Sequence, residues 1–435
     1  PMPRPPAGAG APAGACSSGV RASPVLVSGR NLFVDGQPVF LKAVAWNPYP
    51  VGSLGADSGP PPFADYVLQD AALMQAAGIN AVRVYFAISD TSVLDTLWAH
   101  GIYVIMTVYY DSAFDSVSMA VDRVCAVGSH PAVILWNIFN EPNFVYRGGG
   151  GSYVADANQV IAALKAADPS RPVAISWGEL PTASDFAAIP ADVWSANVYR
   201  GPSFGSLFTD WAARSAKPFF ISEYGADSFS AALNREDQET HAAEVGSMLR
   251  QLVSNAAVSG GACLGGVYFA FADEWWKCAA HSTNGFPACG GDPSVHDTLP
   301  SWEHPDPNAY ADPVMHEEWW GLLTVGREKK LAYDTFASIE SPATGGLSPS
   351  PSTAPPPSAA PPGACSIAGS DRYAPNLGGC CAGLLVCVES RQGLPDYCAI
   401  GSPGFGSSCW ADIHICHQGC GPTGAPPPPS MSSSP

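Results

Sequence analysis

Eight short apolar runs, separated by stretches of helical periodicity or by turn signals, constrain this chain most. They fall at 41–46, 81–86, 103–110, 133–140, 173–177, 193–199, 218–225 and 265–271. Such runs, bounded by turn-forming residues, read as strands buried on both faces. Helical patterning lies between them at 65–77, 89–100, up to about 127, 153–167, 204–214 and 235–254, with a closing helix at 331–339. Gly78 and Gly101 stand where the first two helices must stop. This alternation predicts an α/β fold, a (β/α)8 TIM barrel over 29–340. A doubly wound open sheet is the alternative, and it is disfavoured because no glycine-rich phosphate loop follows the first strand. Ahead of the barrel, residues 31–41 predict a hairpin turning at Asp35-Gly36.

The remaining chain divides by composition. Residues 1–28 are rich in Pro, Ala and Gly and read as a flexible leader with no visible signal-peptide pattern. Residues 341–363 form a Pro/Ser-rich linker. Eight of the 13 cysteines (365, 380, 381, 387, 398, 409, 416 and 420) crowd into a module at 364–421, followed by a tail at 422–435. That density predicts a disulfide scaffold, and hence secretion into an oxidising, extracellular compartment. Its partners within the module are not set by spacing, since eight cysteines allow 105 connectivities. Cys278 and Cys289 are expected to pair with each other.

The formal charge is −18, from 20 Lys plus Arg against 38 Asp plus Glu. Phosphate backbones are repelled by such a surface, so nucleic acid is not an expected partner. No apolar run reaches about 20 residues, so no membrane span is expected. No metal and no cofactor are expected, because no histidine cluster ends the strands. The chain is expected to act as a monomer.

In a parallel barrel all strand ends converge on one face, where catalytic side chains gather. Here those ends carry Trp46, Asn47, Arg83, Tyr85, Tyr110, Asp111, Asn140, Glu141, Trp177, Glu179, Asn197, Tyr199, Glu223, Asp273, Glu274, Trp275 and Trp276. Carboxylates and amides hold hydroxyl groups, and flat aromatic rings stack on the apolar faces of sugars. Trp136 reads as core, and Glu179 and Asp273 as structural. Residues 273–321 are long and aromatic and read as one wall of a groove.

The run 133–140 ends in Asn140-Glu141-Pro142, and the run 218–225 carries Ser222-Glu223-Tyr224-Gly225. Paired in this way, the two motifs resemble the retaining glycoside hydrolases of clan A. The closest likeness is to the family 2 barrel domain and the family 72 glucanosyltransferases. The resemblance implies Glu141 as general acid/base and Glu223 as nucleophile, with double displacement at β-linked glycans such as β-glucan, β-mannan or related wall polysaccharide. It further implies that Asn140 contacts the sugar 2-hydroxyl and that Arg83 and Tyr199 hold Glu223 ionised. Trp46, Asn47, Trp275 and Trp276 complete the expected substrate-binding set. The Pro/Ser tract resembles the stalks of plant and green-algal wall proteins, which makes cell-wall association an expectation. Transglycosylation on the same carboxylates, or a non-catalytic carbohydrate-binding wall protein, are the alternatives.

Overall fold

A computed structural model describes Cys16 and residues 21–146, 152–277 and 292–343, together with the backbone of three short strands further on. The chain divides into two units, Pro1–Ser352 and Thr353–Pro435. In the second, Val386–Val388, Tyr397–Ala399 and Ser407–Ser408 pair as a small antiparallel sheet. The linker from residue 344 on, the remainder of the cysteine module and the Cys278–Cys289 pair lie outside the described residues.

The first unit is a closed, all-parallel barrel of eight strands. In chain order they are Leu41–Ala45, Ala81–Val84, Tyr103–Tyr109, Val133–Ile138, Val173–Gly178, Val193–Asn197, Phe219–Tyr224 and Gly265–Tyr268. Each pairs with its sequence neighbours, and the eighth closes on the first through Gly265 opposite Leu41. A Cβ on Gly265 would meet the Leu41 carbonyl oxygen at 2.2 Å, so only glycine permits this closure. All eight strands are buried along their whole length. Burial on both faces explains why their sequences run apolar instead of alternating.

The helices follow the expected periods. Phe63–Ala76, Thr91–Ala99, Val117–Val127, Tyr153–Ala167, Leu207–Arg214 and Gln238–Ser254 each return the chain to the next strand, and Leu331–Ser338 packs against Gln238–Ser254. Several starts are capped by side chains: Asp90 accepts from Ser92 N, Ser116 from Met119 N and Asp237 from Thr240 N. The helix Ala183–Ala188 was not foreseen. It has no fully buried residue and so shows no apolar stripe, but Thr182 and Asp185 close a capping box around its start.

The N-terminal boundary needs correction. Residues 26–28 are not a flexible leader: Leu26–Ser28 pairs antiparallel with Asn31–Val34, which turns through Asp35-Gly36 into Gln37–Pro38. This hairpin sheet sits at the end of the barrel where strands begin. Val25 N donates to Ser170 O (2.8 Å), just ahead of the fifth strand, and Arg21 pairs with Asp35 at 2.7 Å. Further back, Cys16 is disulfide-bonded to Cys125 of the helix Val117–Val127. The apolar periodicity that guided the boundary could not register a staple of this kind. No helix among the described residues is long and apolar enough to cross a membrane.

Candidate active site

The opposite end of the barrel gathers the charged side chains. Its centre is Glu223, at the end of the seventh strand and only 7% exposed. One carboxylate oxygen accepts from Arg83 Nη1 (2.6 Å) and from the Tyr85 hydroxyl (2.6 Å), and the other from the Tyr199 hydroxyl (2.9 Å). Arg83 comes from the second strand and is fully buried. Its Nη1 also donates to Ser222 O (3.0 Å), and its Nη2 donates to Asn140 Oδ1 (2.8 Å). The guanidinium lies over the Tyr85 ring at 4.4 Å. Both oxygens of this carboxylate are thus held by donors, one of them charged.

Glu141 reaches the same network from the fourth strand. The chain leaves that strand through two left-handed residues, Phe139 (φ 62°) and Glu141 itself (φ 54°). Glu141 N donates to Ser176 O (3.1 Å), and its carboxyl accepts from Asn197 Nδ2 (3.0 Å). Asn197 Nδ2 also donates to Asn140 Oδ1 (3.1 Å), while Asn197 Oδ1 accepts from Ser222 Oγ (2.8 Å). Asn140 Oδ1 is thus taken by two donors, so the group it can offer a ligand is its NH2. Burial, and next the negative charge of Glu223, push the Glu141 pKa up to about 7; Asn197 and Arg83 oppose the rise. The two carboxyls therefore differ in character: one is ringed by donors, and the other is poised to carry a proton near neutrality.

A third group borders them. After the eighth strand, Lys277 Nζ lies 2.7 Å from Glu317 and 3.5 Å from Glu274, and 4.0 Å over the Phe269 ring. Glu317 also accepts from Trp302 Nε1 (2.9 Å), and Trp302 packs edge-on against Tyr199. Glu274 accepts from Asn47 Nδ2 (3.0 Å), and burial first of all raises its pKa to about 7.

The expected site residues are thus distributed unevenly. Glu141, Glu223, Asn140, Arg83 and Tyr199 share one hydrogen-bonded network, whereas Asn47 bonds Glu274, which pairs with Lys277. Trp46 does not belong to it. It is 1% exposed and points into the layer between barrel and helices, where Nε1 donates to Asp70 (2.8 Å) and the ring packs on Phe63. The first strand's alternation aims it outward. Trp275 and Trp276 are half-buried in loop packing. Trp275 stacks on His296, and Trp276 meets Tyr49 edge-on. Asp273 is bound to Lys330 at 2.8 Å, and Glu179 pairs with Arg200. Tyr85 and Asn197 stood among the strand ends without an assigned role. Their position two residues after Arg83 and two before Tyr199 was the available signal. Lys277, Glu317 and Trp302 lie in a long loop and carried no signal of periodicity. Among the described residues, no group of three or more His, Cys, Asp or Glu could hold a metal ion.

Residues 111–245, which include Glu141 and Glu223, match the family described as glycosyl hydrolases family 2, TIM barrel domain. A β-glucuronidase of Pongo abelii is 30% identical over 187 residues, covering 38% of this chain and 28% of that protein. The β-glucuronidase of Homo sapiens is 33% identical over 114 residues, 23% of this chain and 17% of that one. The chain thus spans less than a third of the length of these curated relatives. Among solved structures, a GH2 β-galacturonidase from Eisenbergiella tayi bound to galacturonate superposes with a TM-score of 0.50 at 18% identity, covering 73% of this chain and 54% of that one. A β-glucuronidase from Ruminococcus gnavus, in complex with C6-substituted uronic isofagomine, gives 0.50 at 17%, covering 72% and 52%. At such identities the structural likeness speaks for the fold alone. Over the part of the barrel that carries both glutamates, the chain is similar to the TIM barrel domain of glycosyl hydrolases family 2.

Proposed function

We propose that the protein is a retaining β-glycoside hydrolase acting on β-linked oligo- or polysaccharides. The observation that carries this reading is the asymmetry of two carboxyls in one network: Glu223 bound by Arg83, Tyr85 and Tyr199, and Glu141 raised to about 7 beside it. Glu223 attacks the anomeric carbon as Glu141 gives its proton to the departing oxygen, and the glycosidic C–O bond breaks. Glu141, now a carboxylate, takes a proton from water as the water oxygen displaces Glu223 from the same carbon. The Asn140 NH2 reaches the sugar 2-hydroxyl, a contact that strengthens as positive charge develops on the ring. This is the clan A division of roles. Retention requires the carboxyl groups to stand about 5–5.5 Å apart.

The similar proteins are named for β-glucuronides and a β-galacturonide, whereas the motifs suggested neutral wall glycans such as β-glucan or β-mannan. The reaction class is common to both. Secretion belongs to the same proposal, supported by the Cys16–Cys125 disulfide and the cysteine-dense segment.

An aryl 2-deoxy-2-fluoro-β-glycoside panel tests the reading. The fluorine slows release of the covalent intermediate, so the sugar should remain esterified to the Glu223 peptide and be found there by mass spectrometry. A label on another residue, or a product of inverted configuration by NMR, refutes the assignment.

A further inference from the structure

The loop beyond the eighth strand closes a ring of contacts around the nucleophile. From Glu223 the ring runs through Tyr199 to Trp302, on to Glu317 and Lys277, and back over Phe269 and Tyr85 to Glu223. The Lys277–Glu317 pair therefore borders the space in which a sugar must lie to meet Glu223. Glu317 also presses electrostatically on Glu141 and on Tyr199, which places it beside both halves of the reaction.

The similar proteins named above act on or bind uronic acids, whose recognition calls for a cation free to pair with a carboxylate. Here the cations of the network are already engaged. Arg83 is spent on Glu223, Ser222 and Asn140. Lys277 is held between Glu317 and Glu274 and is itself only 8% exposed. Burial alone would lower the Lys277 pKa, but Glu317 and Glu274 more than offset it and keep the ammonium charged. An incoming carboxylate would meet Glu223 and Glu317, with Arg83 and Lys277 both already paired with carboxylates. A hydroxyl fits differently: it accepts from the ammonium and donates to the Glu317 carboxylate.

We propose that the Lys277–Glu317 pair, backed by Glu274, shapes the site for an uncharged, hydroxyl-bearing glycone and closes it to a uronic acid. This rests on the hydrolase reading for the position of the sugar, but it concerns binding and is tested as binding. The probes are S-phenyl 1-thio-β-glycosides of gluco, galacto and manno configuration, each matched with its C6-carboxylate, titrated against the full chain by NMR. In the best-bound pair the neutral ligand should bind at least about tenfold more tightly. Glu317→Gln, which releases Lys277, should narrow that ratio by roughly tenfold, and Lys277→Met should weaken the neutral ligand instead. A carboxylate bound as tightly as its neutral partner, no binding of any neutral probe, or a ratio unmoved by Glu317→Gln overturns the proposal. The corresponding O-aryl glycosides separate the two readings. Neutral binding without turnover removes the hydrolase and leaves the preference, whereas turnover of uronides alone removes the preference and leaves the hydrolase.

Discussion

At the end of the barrel where strands begin, Arg171 donates to the carbonyls of Val133 (2.7 Å) and His130 (2.6 Å) and to Asp168 (2.7 Å). Asp168 in turn accepts from Trp136 Nε1 (2.8 Å) and Ser170 N (2.9 Å), and both partners of the pair are fully buried. At the other end Arg83 is equally buried and also faces a carboxylate, yet its Nε has no partner among the described residues. Around it, Glu141, Glu274 and Asp273 are all pushed to about 7, with burial the largest cause. The Arg171–Asp168 pair fills its hydrogen-bonding capacity, and the opposite end holds titratable groups away from their ordinary ionisation. The difference teaches where stability and chemistry reside: the closed network braces the barrel, and the open one waits for a ligand.

Substitutions should separate the two ends, beginning with the largest effect. Glu223→Gln should lower kcat on an aryl β-glycoside by about 10⁴-fold or more. A loss under tenfold would remove the upper end's claim to be the site. Glu141→Gln should cost roughly 10²–10⁴-fold, with the smaller loss on substrates whose leaving group needs little protonation. Equal losses across leaving groups would rule out its role as acid. At the lower end, Arg171→Met strands the Asp168 charge and should cost about 3–5 kcal/mol of stability in denaturant titration. The activity per folded molecule should stay unchanged, and a matching drop in kcat would erase the contrast.

The smallest effect concerns pH. The raised pKa of Glu141 means the folded state binds more protons than the unfolded one between its ordinary value of 4.5 and about 7. Its contribution to stability is therefore complete below 4.5 and lost as pH rises through about 7. Glu141→Gln should melt at or above the parent temperature at pH 8, with the gap narrowing toward pH 5. The parent's kcat/KM should fall over the same rise through about 7, as the acid loses its proton. A profile flat from pH 5 to 9 would contradict both.

Much of this was legible in the letters, for physical reasons. Strands buried on both faces must be apolar throughout, so all eight were visible, and the paired glutamates stood out because each ends such a run. The Trp46 assignment failed because a strand end has two faces, and adjacency to the rim does not say which one a side chain takes. The Cys16 staple and the ring through Lys277, Glu317 and Trp302 were invisible because they are long-range contacts made by segments without period. Tyr85 and Asn197 lay between these cases, seen at the rim but given no task.

The two left-handed residues at the exit of the fourth strand, Phe139 and Glu141, have a consequence for the proposed proton donor. Such main-chain angles are disfavoured for side chains of this kind and persist where surrounding packing dictates them. The Glu141 carboxyl is thus aimed by the path of the polypeptide itself and needs little clasping at its tip, where one amide, from Asn197, suffices. A carboxyl gripped by several donors would be locked in a single charge state. One steered from behind can gain and surrender a hydrogen ion in each cycle without losing its bearing.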